Sequence, residues 1–412
     1  MSVGPRVALL WMMLAPVATA ADAPAAERRP VAVLAADWFH NSHPDVLFTR
    51  LFDTYTRDGK GPASQLRIAS VYRDLPTAKD LSEKYAAQAG FKVVPTAEAA
   101  LTLGTGKLAV DGVLLSTEWA PYPVSDTGQI VYPHRRLFVD CVKVFEASGR
   151  VAPVFVDKHL ADAWADSKWI YDTAREMKIP LMAGSTVPLR LLDGGPTVTR
   201  GEPVKEIVGI SYHTLTTYGF HGLEVVQALA ERRKGGETGV VRVRCVTGDA
   251  VWDGAGTLYD AELFARALAD ARPRIPKGKT LRTAVKEPVL FVIEHADGLR
   301  VNLFTLNGAA LGWSAAWRYA DRRSGGRLFS HEHVAGQNRF DWQMKGVEDM
   351  ILTGKPSWPV ERTLLTSGVL DAALISKRDG GRVVETPYLN VRYEADDSWR
   401  VPEAMRTERL VK

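Results

Sequence analysis

Residues 31–51 read VAVLAADWFHNSHPDVLFTRL, and this stretch sets the reading of the whole first half. Val31 to Ala36 is a short apolar run without alternation, suited to a strand buried on both faces. A polar turn follows, Asp37 to His43. After Pro44, the residues Val46, Leu47, Arg50, Leu51 and Tyr55 fall at helical spacing. The same strand–helix unit then recurs. Leu66–Tyr72 is a second strand, with an amphipathic helix from Asp80 to Gln88. Phe91–Val94 is a third, and Thr96 is placed to cap the Ala-rich helix after it. Val110–Ser116 is the fourth. His134–Ser148 is a helix that Gly149 closes. Val154–Val156 is the fifth strand, Asp162–Lys178 its helix, and Pro180–Gly184 the sixth strand. Alternation of this kind builds a parallel sheet covered on both faces. Six units are too few for a closed eight-fold barrel, so the expected form is an open, doubly wound, Rossmann-like α/β sheet. Such a sheet places its ligand at the carboxyl ends of the strands.

Beyond residue 195 the pattern changes. Ile207–Ser211 is strand-like, one long helix runs from Tyr218 to Arg233, and Val240–Val246 alternates cleanly. Val289–Ile293 and Leu299–Leu306 follow as strands, joined by the hairpin-type sequence His295-Ala296-Asp297-Gly298. This predicts a second, α+β domain: a mostly antiparallel open sheet carrying helices on one face. The boundary falls near Leu191–Pro196, giving domains at 30–192 and 193–412.

The chain has 412 residues, 46% of them hydrophobic and 24% charged, enough to bury two cores. Its 52 Lys+Arg against 48 Asp+Glu form no basic run, which argues against a nucleic-acid partner. Two cysteines, Cys141 and Cys245, exclude a disulfide scaffold and are read as buried free thiols. Arg6, the apolar run Val7–Val17 and Ala18-Thr19-Ala20 have the form of a secretory signal peptide. The expectation is cleavage after Ala20, a disordered spacer over 21–29, and an exported, periplasmic or secreted protein. No later segment is long and apolar enough to cross a membrane.

Two local motifs carry a family resemblance. Asp157-Lys158-His159 ends the fifth strand, and Tyr218-Gly219-Phe220-His221-Gly222-Leu223-Glu224 opens the long helix of the second domain. In layout and motifs the chain resembles a divergent member of the glucose-fructose oxidoreductase/inositol dehydrogenase (Gfo/Idh/MocA) family. There a Glu-Lys-Pro motif and an Asp-x-Gly-x-His-x-x-Asp motif occupy these places. The wider stretches PVFVDKHLADAW, PLMAGSTVPLR, YGFHGLEVVQALAERRKGGETG and VERTLLTSGVLDAAL belong to the same likeness. The resemblance implies an oxidoreductase that moves a hydride from a sugar or cyclitol hydroxyl to NAD or NADP, and a homo-oligomer assembled through the open sheet.

The departures are as informative. No glycine stands between Ala35 and His43, where a dinucleotide site carries Gly-x-Gly-x-x-Gly so that backbone can approach the pyrophosphate. The cofactor candidates are therefore Ala35 and Asp37 at the turn, Asn41, Ser42 and His43 as hydrogen-bond donors at the helix start, Arg73 for a 2′-phosphate, and Glu118, Trp119 and Asp157 at the strand ends. Thr217 replaces the family's aspartate four residues before His221, and Glu224 replaces the second one.

In the catalytic reading Lys158 holds a substrate hydroxyl and His221 takes its proton, with Tyr218 and Glu224 on the same helix face and Glu224 orienting His221. The structural alternatives are Lys158 paired with Asp157 at a domain seam, and His221 satisfied by a carbonyl. His40 and His43 are loop residues or phosphate and sugar contacts. His331-Glu332-His333 could offer two ligands from one strand face, but a third is not apparent and no metal is expected. Two further functions stay open: a lyase, epimerase or hydrolase on an oxidised sugar, and a non-catalytic sugar-binding module using Trp38 and Trp119 for stacking.

Overall fold

The computed structural model describes residues 28–56, 59, 61–118, 120–331, 338–396 and 398–406. The leader expected over 1–20, Trp119, Glu332 and His333 lie outside the described residues. The first half runs β1 (Arg29–Ala35), α1 (His43–Phe48), β2 (Leu66–Arg73), α2 (Ser82–Ala89), β3 (Lys92–Val94), α3 (Ala97–Thr102), β4 (Gly112–Ser116), α4 (His134–Ser148), β5 (Val154–Asp157), α5 (Trp164–Glu176) and β6 (Leu181–Gly184). The six strands are parallel in the order β3-β2-β1-β4-β5-β6. This is the doubly wound order whose switch point lies between β1 and β4. Local signals act as expected: the Thr96 side chain accepts from the Ala99 N–H, and Gly149 ends α4 in the left-handed region. The helix expected to reach Tyr55 is shorter. It stops at Phe48 and closes with one 3₁₀ turn, because Tyr55 turns inward and donates its hydroxyl to Glu348 from the far end of the chain.

The second half continues with β7 (Val204–Ser211), α6 (Tyr218–Ala230), β8 (Val240–Thr247), α7 (Asp249–Asp253), α8 (Ala261–Asp270), α9 (Leu281–Ala284), β9 (Val289–His295), β10 (Arg300–Thr305), β11 (Gly312–Tyr319), β12 (Ser324–His331), α10 (Asn338–Thr353), α11 (Glu361–Arg378) and β13 (Val384–Glu385). The sheet order is β12-β11-β7-β10-β9-β8-β13, antiparallel except for the β7–β10 pair.

Helices cover both faces of this sheet, not one. Gly209 of β7 leaves room for Val226 of α6, and Gly222 of α6 for Leu303 of β10, so α6 lies on the face of Gly209 and Leu303. The alternate residues point the other way. There Ser314 donates to the Ala267 carbonyl of α8 at 2.6 Å, and Phe304 packs edge-on against Tyr259. This chain's own α8 thus covers the β11 and β7 part of that face, while Arg242 and Glu294 on β8 and β9 stay exposed on it. The division near residue 192 is also crossed. Trp342, Met344, Val347 and Met350 of α10 belong to the same apolar cluster as Val31, Val33, Leu114 and Phe155. Cys141 and Cys245 are both buried and free.

The close approach of α6 to β7 leaves no room for a side chain at Gly209, where a Cβ would stand 2.5 Å from Val226 and 2.9 Å from Leu303. Gly209→Val should cost about 1–3 kcal/mol of stability, read as a lowered midpoint in thermal or urea unfolding with the fold retained.

Candidate functional site

The carboxyl edge of the first sheet gathers most of the candidates. Asp157 of β5 pairs with Gly184 of β6, so the next residues, Lys158 and Ser185, emerge side by side. Ser185 Oγ accepts from the Val187 N–H at 3.0 Å and lies 2.5 Å from His221 Nδ1. One residue beyond Lys158, His159 Nε2 donates to the Thr216 carbonyl at 2.7 Å, and its ring centroid lies 4.4 Å from that of Phe220. The start of α6 is therefore fastened over the ends of β5 and β6. Lys158 and His221, from opposite halves of the sequence, come near enough for the lysine charge to act on the imidazole.

Lys158 is fully buried, and its ammonium pairs with Glu118, just beyond β4. Pairing of that ammonium with Asp157 is not what forms: the Asp157 carboxylate takes the Lys158 backbone N–H (3.0 Å), Ser116 Oγ (3.0 Å) and His43 Nδ1 (2.6 Å). Burial would raise the Asp157 pKa, but His43, Lys158 and Ser116 outweigh it and hold it below the ordinary aspartate range. His43 Nε2 stands 4.0 Å from Glu118. On the other side of Glu118, His159 Nδ1 lies 4.0 Å from Oε1, and neither of those two atoms has a hydrogen-bond partner among the described residues.

His221 is held neutral, first by burial and then by the Lys158 ammonium, with Arg339 acting in the same direction. Its ring meets Trp313 edge-on at 5.1 Å and Tyr218 at 6.3 Å. Tyr218 stacks on Trp313, and its carbonyl accepts from Trp313 Nε1 at 2.9 Å. Glu224 is not the partner that orients His221. Its carboxylate takes the Ser185 N–H (3.4 Å) and Thr366 Oγ1 (2.6 Å), so it braces the loop that carries Ser185. Burial, only partly offset by Arg362, raises its pKa.

Ser185 and Arg339 are the contributors that sequence reasoning missed. Ser185 sits in the stretch PLMAGSTVPLR and follows β6 directly, so the carboxyl-edge rule applied to the sixth strand would have found it. Arg339, whose Nε donates to Thr186 Oγ1 at 3.2 Å, comes from α10 and had no local signal.

The cofactor candidates around β1 do not converge on an open site. The Ala35 carbonyl accepts from the Asp74 N–H at 2.8 Å. Asp37 is buried, its Oδ2 accepting from Thr77 Oγ1 at 2.7 Å. Ser42 is buried as the cap of α1, and the Asn41 N–H donates to Asp45 Oδ2 at 2.8 Å. Arg73 is bound to Asp80 at 3.0 Å and Glu83 at 3.2 Å, which contradicts its reading as an open seat for a 2′-phosphate. Trp38 is fully buried against Phe48, Phe52, Tyr85 and Phe91, so it cannot stack on a sugar. His40 is exposed, 3.6 Å from Asp45. The residues present do not fit the pyrophosphate of a dinucleotide. Among the described residues no group of His, Cys, Asp and Glu is arranged to hold a metal, and no helix is long and apolar enough to cross a membrane.

The fold is shared with solved inositol dehydrogenases. The chain is similar to GenD2 from gentamicin A biosynthesis in complex with NAD (16% identity, 87% of this chain and 96% of that one, TM-score 0.54). It is also similar to scyllo-inositol dehydrogenase from Lactobacillus casei (10%, 87% and 98%, 0.54) and to myo-inositol 2-dehydrogenase from Lactobacillus plantarum (10%, 87% and 99%, 0.53). No family model and no curated protein matches the sequence.

Two buried imidazoles give the site a pH signature. Burial pushes His134 down to about 4, and burial with the Lys158 charge pushes His159 down to about 3. In the unfolded chain both titrate near 6.5, so the unfolded state takes up protons first on acidification. Their contribution is complete above about pH 6.5 and is lost as pH falls toward the folded values. The unfolding midpoint should drop between about pH 7 and pH 4, and His134→Phe should make that drop shallower.

Proposed function

We propose that this protein is an enzyme of the oxidoreductase kind, acting at a hydroxyl-bearing carbon of a small sugar- or cyclitol-like molecule. The observation that carries the reading is the placing of His221 over the ends of β5 and β6 by its contact with Ser185, where the charge of Lys158 acts on it. A buried ammonium is a fixed donor to a substrate oxygen. In the tautomer whose Nδ1–H donates to Ser185, the Nε2 of His221 is bare, and the surrounding positive charges favour the neutral ring that can accept a carbinol proton. Glu118 anchors the ammonium, Asp157 with His43 steadies the strand end beneath it, and Tyr218 with Trp313 walls the imidazole. Fold neighbours that act on inositols support the substrate class. NAD or NADP is the acceptor that the neighbours suggest, but the β1–α1 turn does not fit its pyrophosphate. The roles of Lys158 and His221 are therefore confined to holding the substrate oxygen and moving its proton.

That turn favours a second reading on the same residues: proton transfer alone, as in epimerisation of or elimination from an already oxidised sugar. The sequence of the first twenty residues supports a further proposal, that the protein is exported. Mass spectrometry of the mature protein should then find Ala21 at its amino terminus.

The test is a panel of inositols, aldoses and their keto derivatives in deuterated water, with and without NAD or NADP, read by mass spectrometry for carbonyl product or deuterium uptake. Lys158→Met and His221→Ala should each lower turnover by about 10²–10⁴-fold, and Ser185→Ala by less. If neither substitution changes any turnover the wild type shows, the acid–base reading fails.

A further inference from the structure

In a doubly wound sheet the first turn binds a dinucleotide because its backbone N–H groups are open and glycine lets the phosphates come close. Several donors of this turn are already engaged. The Trp38 N–H donates to Asp80 Oδ2 (3.0 Å), the Asn41 N–H to Asp45 Oδ2 (2.8 Å) and the Ser42 N–H to the Phe39 carbonyl (2.9 Å). Pro44 has no N–H. The Asp45 N–H points at Ser42 Oγ (3.4 Å), and that of Val46 donates to the Ser42 carbonyl (2.9 Å). Asp45 is itself buried, and its second oxygen accepts from the Tyr85 hydroxyl at 2.7 Å. A carboxylate of the chain thus stands at the head of α1, where a pyrophosphate would bring further negative charge.

The acid that would hold the ribose is engaged as well. Asp74, just past β2, accepts from Tyr72 (2.7 Å), Tyr122 (2.8 Å) and Arg136 (2.6 Å).

We infer that Asp45 closes the β1–α1 turn, and that this chain seats no dinucleotide there in spite of its Rossmann strand order. Any oxidation at Lys158 and His221 then takes its acceptor from a place other than this turn, and a reaction completed by proton transfers needs none. The inference does not depend on the roles given to those two residues.

The test uses the full mature protein. A denatured extract of the purified protein is searched for nucleotide by mass spectrometry. Binding of NAD⁺, NADH, NADP⁺, NADPH and ADP-ribose is measured by calorimetry and by thermal shift at about 1 mM ligand. The expected result is no co-purified nucleotide, no measurable heat, and a melting temperature moved by less than about 1 °C. Binding of a dinucleotide that ADP-ribose does not displace also agrees, since it places the nucleotide away from the turn. A stoichiometric nucleotide in the extract that ADP-ribose displaces, or saturable binding of ADP-ribose itself, overturns the inference. Substrate turnover or deuterium exchange in nucleotide-free protein is a separate readout, so loss of this inference and loss of the acid–base reading are told apart.

Discussion

A lysine and a glutamate shut away from water, Lys158 and Glu118, are the constraint on which the rest of this cluster depends. Removing both charges from solvent is expensive, and the pair holds only while each keeps the other and the surrounding dipoles stay in place. Losing one partner from such a pair typically costs about 3–5 kcal/mol, because the survivor is left charged in a poor solvent. The neighbours follow from this. His43 and Asp157 form a second polar contact beside the first, and His159 and His221 are neutral because burial and the nearby Lys158 charge disfavour another proton. The ammonium at the end of β5 thus adds to burial, the larger cause, in keeping two imidazoles without a second proton.

The structure separates two things that the strand order would join. The edge at β5 and β6 gathers ionisable side chains, Lys158, Asp157 and His221, from both halves of the chain. The edge at β1 and β2, where a dinucleotide fold makes its phosphate and ribose contacts, is filled with internal bonds: Asp45 to Asn41 and Tyr85, Asp74 to two tyrosines and Arg136, Arg73 to Asp80 and Glu83. The fold supplies location and the side chains decide use.

The parallel sheet was legible because unbroken runs such as Val31–Ala36 and Val154–Val156 can only be strands buried on both faces, and because Thr96 and Gly149 punctuate helices by local chemistry. Lys158 and His221 were legible through their motifs. What stayed hidden depends on contacts distant in sequence. Nothing around Trp38 indicates that Phe91 and Phe52 will enclose it, and nothing in the 261–270 helix says that its apolar stripe will cover Phe304. Glu224 has the spacing of a partner for His221, yet Thr366, from a helix 142 residues away in sequence, draws its carboxylate aside.

The return of α10 to the first sheet has a consequence for how this polypeptide is made. Trp342, Met344, Val347 and Met350 complete the apolar layer over Val31, Val33 and Phe155 that Leu47, Phe48 and Leu51 begin, so one side of the amino-terminal sheet is only partly covered until translation has passed residue 350. Half-made chains must keep that greasy surface soluble, which invites chaperones and slows collapse.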